Sequence, residues 1–236
     1  MLVPEKRSNK SYDFSKEKYQ SPSGIMLHSR TVVEKDNYVA TGVLTYAEGD
    51  VLEVELNEYK AFQLSENVKL TVYSPGGVYT FQSTVIAKDQ GSLMFINPPQ
   101  NKNRFVEKRE HPRVDVSHRG HMLSYGKVYD NEQVLEQAVE IDIHNISVSG
   151  IGFSLASDIE LNEQMKVQVN IDLGFEIPCL VEIIRKQKRD DSHYYGAQYV
   201  ELPSEKTNSL RAFVLKKQVE QHFGKKNEEK RKRVFK

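Results

Sequence analysis

The sequence has little of what marks a secreted protein, a membrane protein or an enzyme. It contains one cysteine, Cys179, so no internal disulfide can form, which fits a reducing compartment. Cys179 lies in an apolar stretch and is expected to be a buried strand thiol. No apolar run approaches the roughly eighteen residues of a membrane helix, and the first residues lack the apolar core of a signal peptide. We therefore expect a cytoplasmic protein without an integral membrane segment.

Patterns that carry common catalytic chemistry are also missing. The chain has no glycine-rich phosphate loop, no nucleophile elbow and no strong carboxylate pair. Asp115, Asp142 and the glutamates are expected to lie on solvated strand faces. His118 and His121 are three residues apart, with His111 nearby, and in a strand this spacing places the two on opposite faces. The sequence therefore predicts neither an enzyme nor a metal site.

Net charge is zero, but the basic residues are unevenly placed. Lysine plus arginine and aspartate plus glutamate each number 33. Residues 102–113 hold five basic and two acidic side chains, and residues 225–236 hold seven and two. Such segments are either solvated or able to contact nucleic acid or an anionic membrane. For residues 224–236 a disordered basic tail is the favoured interpretation.

The pattern of apolar residues predicts an all-β protein, mainly antiparallel, with two domains. Residues 1–24 are poor in aliphatic side chains and are expected to form a flexible arm. Residues 25–98 read as short alternating strands, as in Val51–Leu56, where Leu52, Val54 and Leu56 share one face. A small barrel or sandwich would hide the edges of such strands. Pro98 and Pro99 then mark a boundary, and residues 99–113 form a short basic linker.

The second half predicts further strands and a final helix. Residues 165–173 alternate cleanly, and a turn at Gly174 leads into the strand that contains Cys179. Ser204 is a plausible N-cap for the helix, and Gly224 is a plausible stop. The apolar stripe predicted on this helix consists of Ala212, Leu215, Val219 and Phe223.

Two short clusters stand out from this background. The first, Arg109-Glu110-His111-Pro112-Arg113, places two forked guanidinium groups in a loop that proline keeps from being helical. The second runs from Asn145 through Ser147 to Gly150 and offers neutral hydrogen-bonding groups beside a glycine that permits close backbone approach. Apolar parity switches between Ile143 and Ile146, which predicts a bulge or a strand end there. Together the clusters suggest a pocket for a doubly charged anion that carries guanine.

The spacing of the two clusters resembles the signature of the PilZ family, over residues 104–222. Arg109-x-x-x-Arg113 is followed, after about thirty residues of strand, by Asn145-x-Ser147-x-x-Gly150. The resemblance implies a six-stranded barrel that binds cyclic di-GMP and needs no cofactor. It assigns Arg109 and Arg113 to the phosphates and guanine faces, and Asn145, Ser147 and Gly150 to guanine and backbone recognition. Lys108 and Arg104 are possible additional contacts.

The first half, residues 25–98, is similar in architecture to flagellar-brake-type proteins. This likeness implies that the ligand changes the orientation of the two domains and so regulates a protein partner. A flagellar motor or polysaccharide-synthesis component, in motility or biofilm control, would be such a partner. Two alternatives stay open. One is a β-barrel protein that binds nucleic acid or an anionic membrane through its basic linker and tail, although nucleic acid is the less favoured partner. The other is a family member that binds only protein.

Overall fold

The structure, a computed structural model, describes most of the chain in five stretches. They are residues 24–105, 111–127, 133–155, 159–189 and 192–234. The arm predicted for residues 1–24, apart from residue 24, and the positions of Lys108 and Arg109 lie outside the described residues. None of the helices in these stretches has the length and apolar character needed to cross a bilayer.

Six antiparallel strands close into an N-terminal barrel. In spatial order they run β1-β2-β3-β6-β5-β4. A Pro75-Gly76 turn joins β4 to β5, with Ser74 paired to Gly77, as expected from the proline–glycine sequence. The strands are β1 (Arg30–Lys35), β2 (Tyr38–Glu48), β3 (Val51–Glu55), β4 (Asn67–Ser74), β5 (Gly77–Asp89) and β6 (Ser92–Ile96).

A short 3₁₀ segment, Pro99–Arg104, leads out of the first barrel. The second barrel then closes in the spatial order β10-β11-β12-β9-β8-β7. Gly174, with φ of +85°, makes the turn between β10 and β11. The strands are β7 (Val114–Gly126), β8 (Gln133–Ile146), β9 (Gly150–Leu155), β10 (Lys166–Asp172), β11 (Glu176–Arg189) and β12 (Ser192–Glu201).

Each barrel encloses its own apolar core, so the all-β, two-barrel prediction is confirmed. Alternating apolar residues predict the core because successive side chains of a strand point to opposite faces, and only one face points into a closed barrel. Cys179 lies in the second core, where burial raises the pKa of its thiol to about 12. The thiol is therefore protonated and unreactive at neutral pH, as expected for a buried strand cysteine.

The α-helix at the C-terminal end of the described residues, α1 (Ser204–Val234), departs from the sequence prediction in two ways. Gly224 does not end it, and the segment predicted as a disordered tail is helical through Val234. A glycine costs a helix only about 1 kcal/mol, so packing of the flanking turns can override it. The buried positions of α1 are Leu210, Val214 and Gln218, whereas the predicted Ala212 is exposed.

One glutamate also contradicts the prediction of solvated acidic faces. Glu53 lies between Leu52 and Val54 in β3 and is only 2% exposed. Alternation in β3 correctly places Leu52 and Val54 in the barrel core and Glu53 on the outer face. This outer face is covered by helix α1, whose docking no local pattern in β3 could indicate.

Candidate functional site

The two sequence clusters meet at the point where β7 begins and β8 ends. Val114 pairs with Ile146, and Asp115 pairs with Asn145. Arg113 immediately precedes Val114 and is exposed, so antiparallel register brings its backbone next to Ser147. One member of the arginine pair is thereby placed beside the polar cluster by strand pairing alone. Arg109 and Lys108 are outside the described residues.

Arg104 takes a different position from Arg113. It ends the 3₁₀ segment Pro99–Arg104, and its carbonyl oxygen accepts a hydrogen bond from the backbone N–H of Ile25 at 2.7 Å. Phe105 then forms a parallel bridge with Ile25. Arg104 is thus anchored to the N-terminal barrel, whereas Arg113 belongs to the barrel that carries Asn145.

A bulge near the end of β8 changes which residues face the core, as predicted from the switch in the positions of apolar residues after Ile143. The register between β8 and β9 shifts between Ile143 and Asn145, and both Ile143 and Ile146 are buried in the core. An extra residue therefore lies between two inward-facing positions. The amide Nδ2 of Asn145 donates a hydrogen bond to the Tyr194 hydroxyl at 2.8 Å.

Ser147 and Gly150 shape the turn between β8 and β9. Ser147 is 1% exposed, and its Oγ accepts hydrogen bonds from the backbone N–H groups of Ser149 at 3.3 Å and Gly150 at 3.2 Å. A Cβ on Gly150 would lie 2.1 Å from the carbonyl oxygen of Ala197 in β12. The two residues therefore hold the turn against β12.

A row of paired residues crosses the outer surface of the second barrel from the Asn145 position. Asn145 pairs with Gly152, Gly152 with Gly196, and Gly196 with Arg185. The row spans three strand spacings, about 14 Å. Its two central positions carry no side chain, which leaves room for the ring of Tyr194 over Gly152, where an added Cβ would lie 2.1 Å from the Tyr194 hydroxyl.

Tyr194 and Arg185 are the residues that sequence reasoning missed. The adjacent Tyr195 faces the barrel core, so Tyr194 belongs to the outer face, yet it is only 5% exposed. The guanidinium carbon of Arg185 lies 5.6 Å from the centre of the Tyr194 ring. The only sequence signal was Gly196, because a strand glycine often marks close approach of another group.

Comparison with known proteins identifies the second barrel. The PilZ domain model matches residues 107–216. No curated protein matches the chain. Among solved structures the chain is similar to the Bacillus subtilis inhibitor of motility MotI/DgrA, at 14% identity and a TM-score of 0.41, covering 83% of this chain and 99% of that one.

Two further solved structures are similar over both domains. One is YcgR from Escherichia coli in complex with c-di-GMP, at 16% identity, a TM-score of 0.36, and coverage of 86% of this chain and 88% of that one. The other is PlzA from Borreliella burgdorferi, also in complex with c-di-GMP, at 10% identity, a TM-score of 0.32, and coverage of 80% of this chain and 88% of that one. At these values the structural likenesses carry no argument about function. The family match does not depend on them: residues 107–216, which form the second barrel with the adjoining part of helix α1, match the PilZ domain.

Proposed function

We propose that the protein is a receptor for cyclic di-GMP and that it has no catalytic activity of its own. One observation carries the proposal: within the PilZ domain, strand register places Arg113 beside the Asn145–Gly150 cluster. A guanidinium group matches the forked geometry of phosphate oxygens and can also stack on a purine. The neighbouring amide can hydrogen-bond the edge of a guanine without adding charge.

The roles of the individual residues differ in this proposal. Arg109 and Arg113 bind the phosphates and cover the guanine faces, and Asn145 contacts a guanine edge. Ser147 and Gly150 keep the β8–β9 turn in the shape that the ligand needs, since the Ser147 hydroxyl is bonded within that turn. Lys108 is a possible second-ligand contact beside the arginines. Arg104 is a weaker candidate because its backbone is bonded to the N-terminal barrel.

Arg185 extends the proposed surface across the barrel. It is exposed, lies at the far end of the row that starts at Asn145, and is positioned by the ring of Tyr194. Tyr194 is in turn hydrogen-bonded to Asn145. A planar cation held over an aromatic ring presents its second face outward, where a guanine can stack on it. Arg185 is therefore proposed as a third arginine that contacts the ligand.

Regulation of a protein partner through domain reorientation is the proposed output. We propose a protein partner in motility or biofilm control, such as a flagellar motor or polysaccharide-synthesis component, and a cytoplasmic location. A ligand can drive such reorientation only through different affinities for the two arrangements.

Titration calorimetry with cyclic di-GMP tests the ligand assignment. The wild-type protein is expected to release or absorb heat with cyclic di-GMP and to give no saturable signal with cyclic di-AMP, which lacks the guanine exocyclic groups. Absence of binding to cyclic di-GMP contradicts the proposal. If the alternative is right and the basic segments bind nucleic acid or anionic membrane, that binding should weaken steeply with salt.

Replacing Arg185 with alanine is expected to weaken cyclic di-GMP binding without abolishing it. Loss of one stacked cation at an exposed surface costs about 0.5–1 kcal/mol, or about two- to fivefold in affinity. Arg185→Lys should weaken binding almost as much, because lysine keeps the positive charge but lacks the planar guanidinium that stacks on guanine. Lys188→Ala, at another exposed position of β11, is the matched control and should bind like wild type. Equal affinities of the wild type and Arg185→Ala would exclude the third arginine.

A further inference from the structure

The second half of helix α1 leaves its own barrel and binds the N-terminal one. Gln221 Nε2 donates a hydrogen bond to the carbonyl oxygen of Asp115 at 2.6 Å, at the start of β7. His222 Nε2 and, one turn further along the helix, Lys226 Nζ lie 3.1 Å and 2.5 Å from the two carboxylate oxygens of Glu53. His222 and Lys226 are four residues apart and therefore share one face of α1. The helix thus joins the strand that follows Arg113 to the first domain.

Glu53 is held by groups from three elements besides its own strand. The hydroxyl of Thr45 in β2 donates to Glu53 Oε2 at 2.8 Å. Lys226 also donates to Ser92 Oγ in β6 at 3.1 Å. The ring of Tyr46 lies 4.2 Å from that of His222, between centroids. A buried carboxylate is tolerated only when it is paired and hydrogen-bonded, so Glu53 stays buried only while the helix is docked.

The arginine loop is part of the same interface. Pro112, which lies between the two arginines, packs against Gly49 in the β2–β3 turn. A Cβ on Gly49 would be 2.1 Å from Cγ of Pro112 and 2.9 Å from Nε2 of Gln218 in helix α1. In this arrangement Pro112 therefore rests on the N-terminal barrel.

Among the residues that the structure describes in this part of the interface, several buried polar side-chain atoms have no hydrogen-bond partner. On the described residues, nine buried side-chain polar atoms have no hydrogen-bond partner, and six of them belong to Asn97, Asn101, His111 and Gln218. Asn97 is hydrogen-bonded through Nδ2 to the carbonyl oxygen of Gly49 at 2.8 Å, Gln218 also lies beside Gly49, and His111 precedes Pro112. These three residues therefore lie near the contact with Pro112. Buried polar atoms without partners destabilise the arrangement that contains them. The docked state thus combines a strong ionic contact at Glu53 with an unfavourable contact at the loop.

We propose that Glu53, His222 and Lys226 form a latch that holds the PilZ domain against the N-terminal barrel until ligand draws the arginine loop away from Gly49. The latch itself follows from the contacts between the domains, whereas its coupling to ligand rests on the proposed function. The latch keeps the N-terminal barrel docked and so holds Gly49 against Pro112. A ligand that orders the loop on the second barrel has to move Pro112 away from Gly49, so the latch opposes ligand binding.

Distance measurements between spin labels on the two barrels test the latch without ligand. Cysteines introduced at the exposed positions Gln82 and Gln137 take the labels. Cys179 stays unlabelled because burial raises the pKa of its thiol to about 12. Glu53→Gln keeps the shape of the side chain and removes its charge, and it should broaden and shift the distance distribution. Glu55→Gln, at the exposed end of the same strand, is the matched control and should behave as wild type.

Lys226→Gln is the second variant, because it breaks the contact from the helix and leaves the barrel that contains Glu53 unaltered. It should change the distribution in the same direction as Glu53→Gln. If both variants keep the wild-type distribution, the latch is excluded whatever the ligand does.

Calorimetry then tests the coupling. If the latch keeps about nine in ten molecules closed, Glu53→Gln should bind cyclic di-GMP about tenfold more tightly than wild type. The ligand should also shift the wild-type distances toward those of Glu53→Gln. Equal or weaker affinity of the variant overturns the coupling. A wild type that binds no cyclic di-GMP overturns the proposed function, and the ligand-free distances still decide whether the latch exists.

Acid should open the latch. Burial alone would raise the pKa of Glu53, but hydrogen bonds from His222, Lys226, Ser92 and Thr45 outweigh it and hold the pKa well below its usual value of 4.5. Because the pKa of Glu53 is lowered in the docked state, its charge stabilises that state at pH values above the ordinary pKa of 4.5. This stabilisation is lost as the pH falls below 4.5 toward the lowered pKa. As the pH falls below 4.5, the wild-type distances should move progressively toward those of Glu53→Gln, and the change should be complete only below the lowered pKa of the docked state. A wild-type distribution that stays constant on acidification until the barrels themselves unfold would contradict the role of the Glu53 charge.

Discussion

Replacing Arg113 with alanine is expected to abolish measurable binding of cyclic di-GMP. Arg113 directly precedes the pair Val114–Ile146, so its backbone lies next to the Asn145–Gly150 cluster. Hydrogen bonds between charged partners contribute about 1.5–3 kcal/mol each, and a guanidinium makes two to a phosphate. The loss is then about 3–6 kcal/mol, which lowers affinity by at least about 100-fold. Titration calorimetry on the purified variant measures it.

The matched control is Arg119→Ala, in the same strand β7. Arg119 is also exposed and pairs with Glu140 at 2.8 Å, but surface ion pairs contribute little to stability. It is expected to bind cyclic di-GMP as the wild type does and to unfold at nearly the same temperature. Arg113→Lys should recover only part of the affinity, because an ammonium lacks the forked geometry. Equal binding heats for the wild type and Arg113→Ala would refute the assignment of this residue.

The fold could be predicted from the sequence because a closed barrel requires apolar and polar residues to alternate along each strand, and this pattern is local. Alternation in β10 and β11 names the core positions Val167, Val169 and Cys179 correctly, and all are buried. The parity switch after Ile143 locates the bulge for the same reason, since a closed barrel admits only one face of each strand. These features depend on neighbours along the chain and on nothing more distant.

Contacts between elements could not be predicted in this way. Glu53 has the position of a solvated residue in its strand, and only the helix that begins about 150 residues later in the sequence buries it. Gln218 is buried in α1 although it lies outside the predicted stripe, because its face of the helix meets Gly49 as well as its own barrel. The predicted stripe was therefore placed on the wrong face. A single sequence carries no signal for such pairings.

The candidate site was predictable in part. The motif spacing identified Arg113 and Asn145, and register brings their segments together. Arg185 and Tyr194 were not predicted, because they lie near Asn145 only through two strand pairings, from Asn145 to Gly152 and from Gly152 to Gly196. Ser147 was expected to face a ligand, yet the structure bonds its hydroxyl within the turn. Which groups line a barrel surface depends on register, and register is a property of the assembled sheet.

Replacing Gly150 with alanine is expected to destabilise the PilZ domain itself. The added Cβ would lie 2.1 Å from the carbonyl oxygen of Ala197 and 3.1 Å from Cα of Gln198. Both are backbone atoms of the paired strand β12, so no side-chain rotation relieves the contact, and β9 must move away from β12. Overpacking of this kind costs about 1–3 kcal/mol, which lowers Tm by about 2–12 °C for a protein of this size. Differential scanning calorimetry measures the shift.

Gly196→Ala distinguishes this structural role from a role in ligand contact. Gly196 also lies in a strand of the second barrel, but the nearest atom to its added Cβ is Cβ of Arg185 at 3.6 Å, an ordinary contact. This variant should keep the wild-type Tm, and so should Arg113→Ala, which loses binding without strain. Gly150→Ala should lose both stability and binding, because the turn that Ser147 holds is displaced with β9. If Gly150→Ala unfolds at the wild-type temperature but fails to bind, the glycine acts by contact with the ligand and the steric argument is wrong.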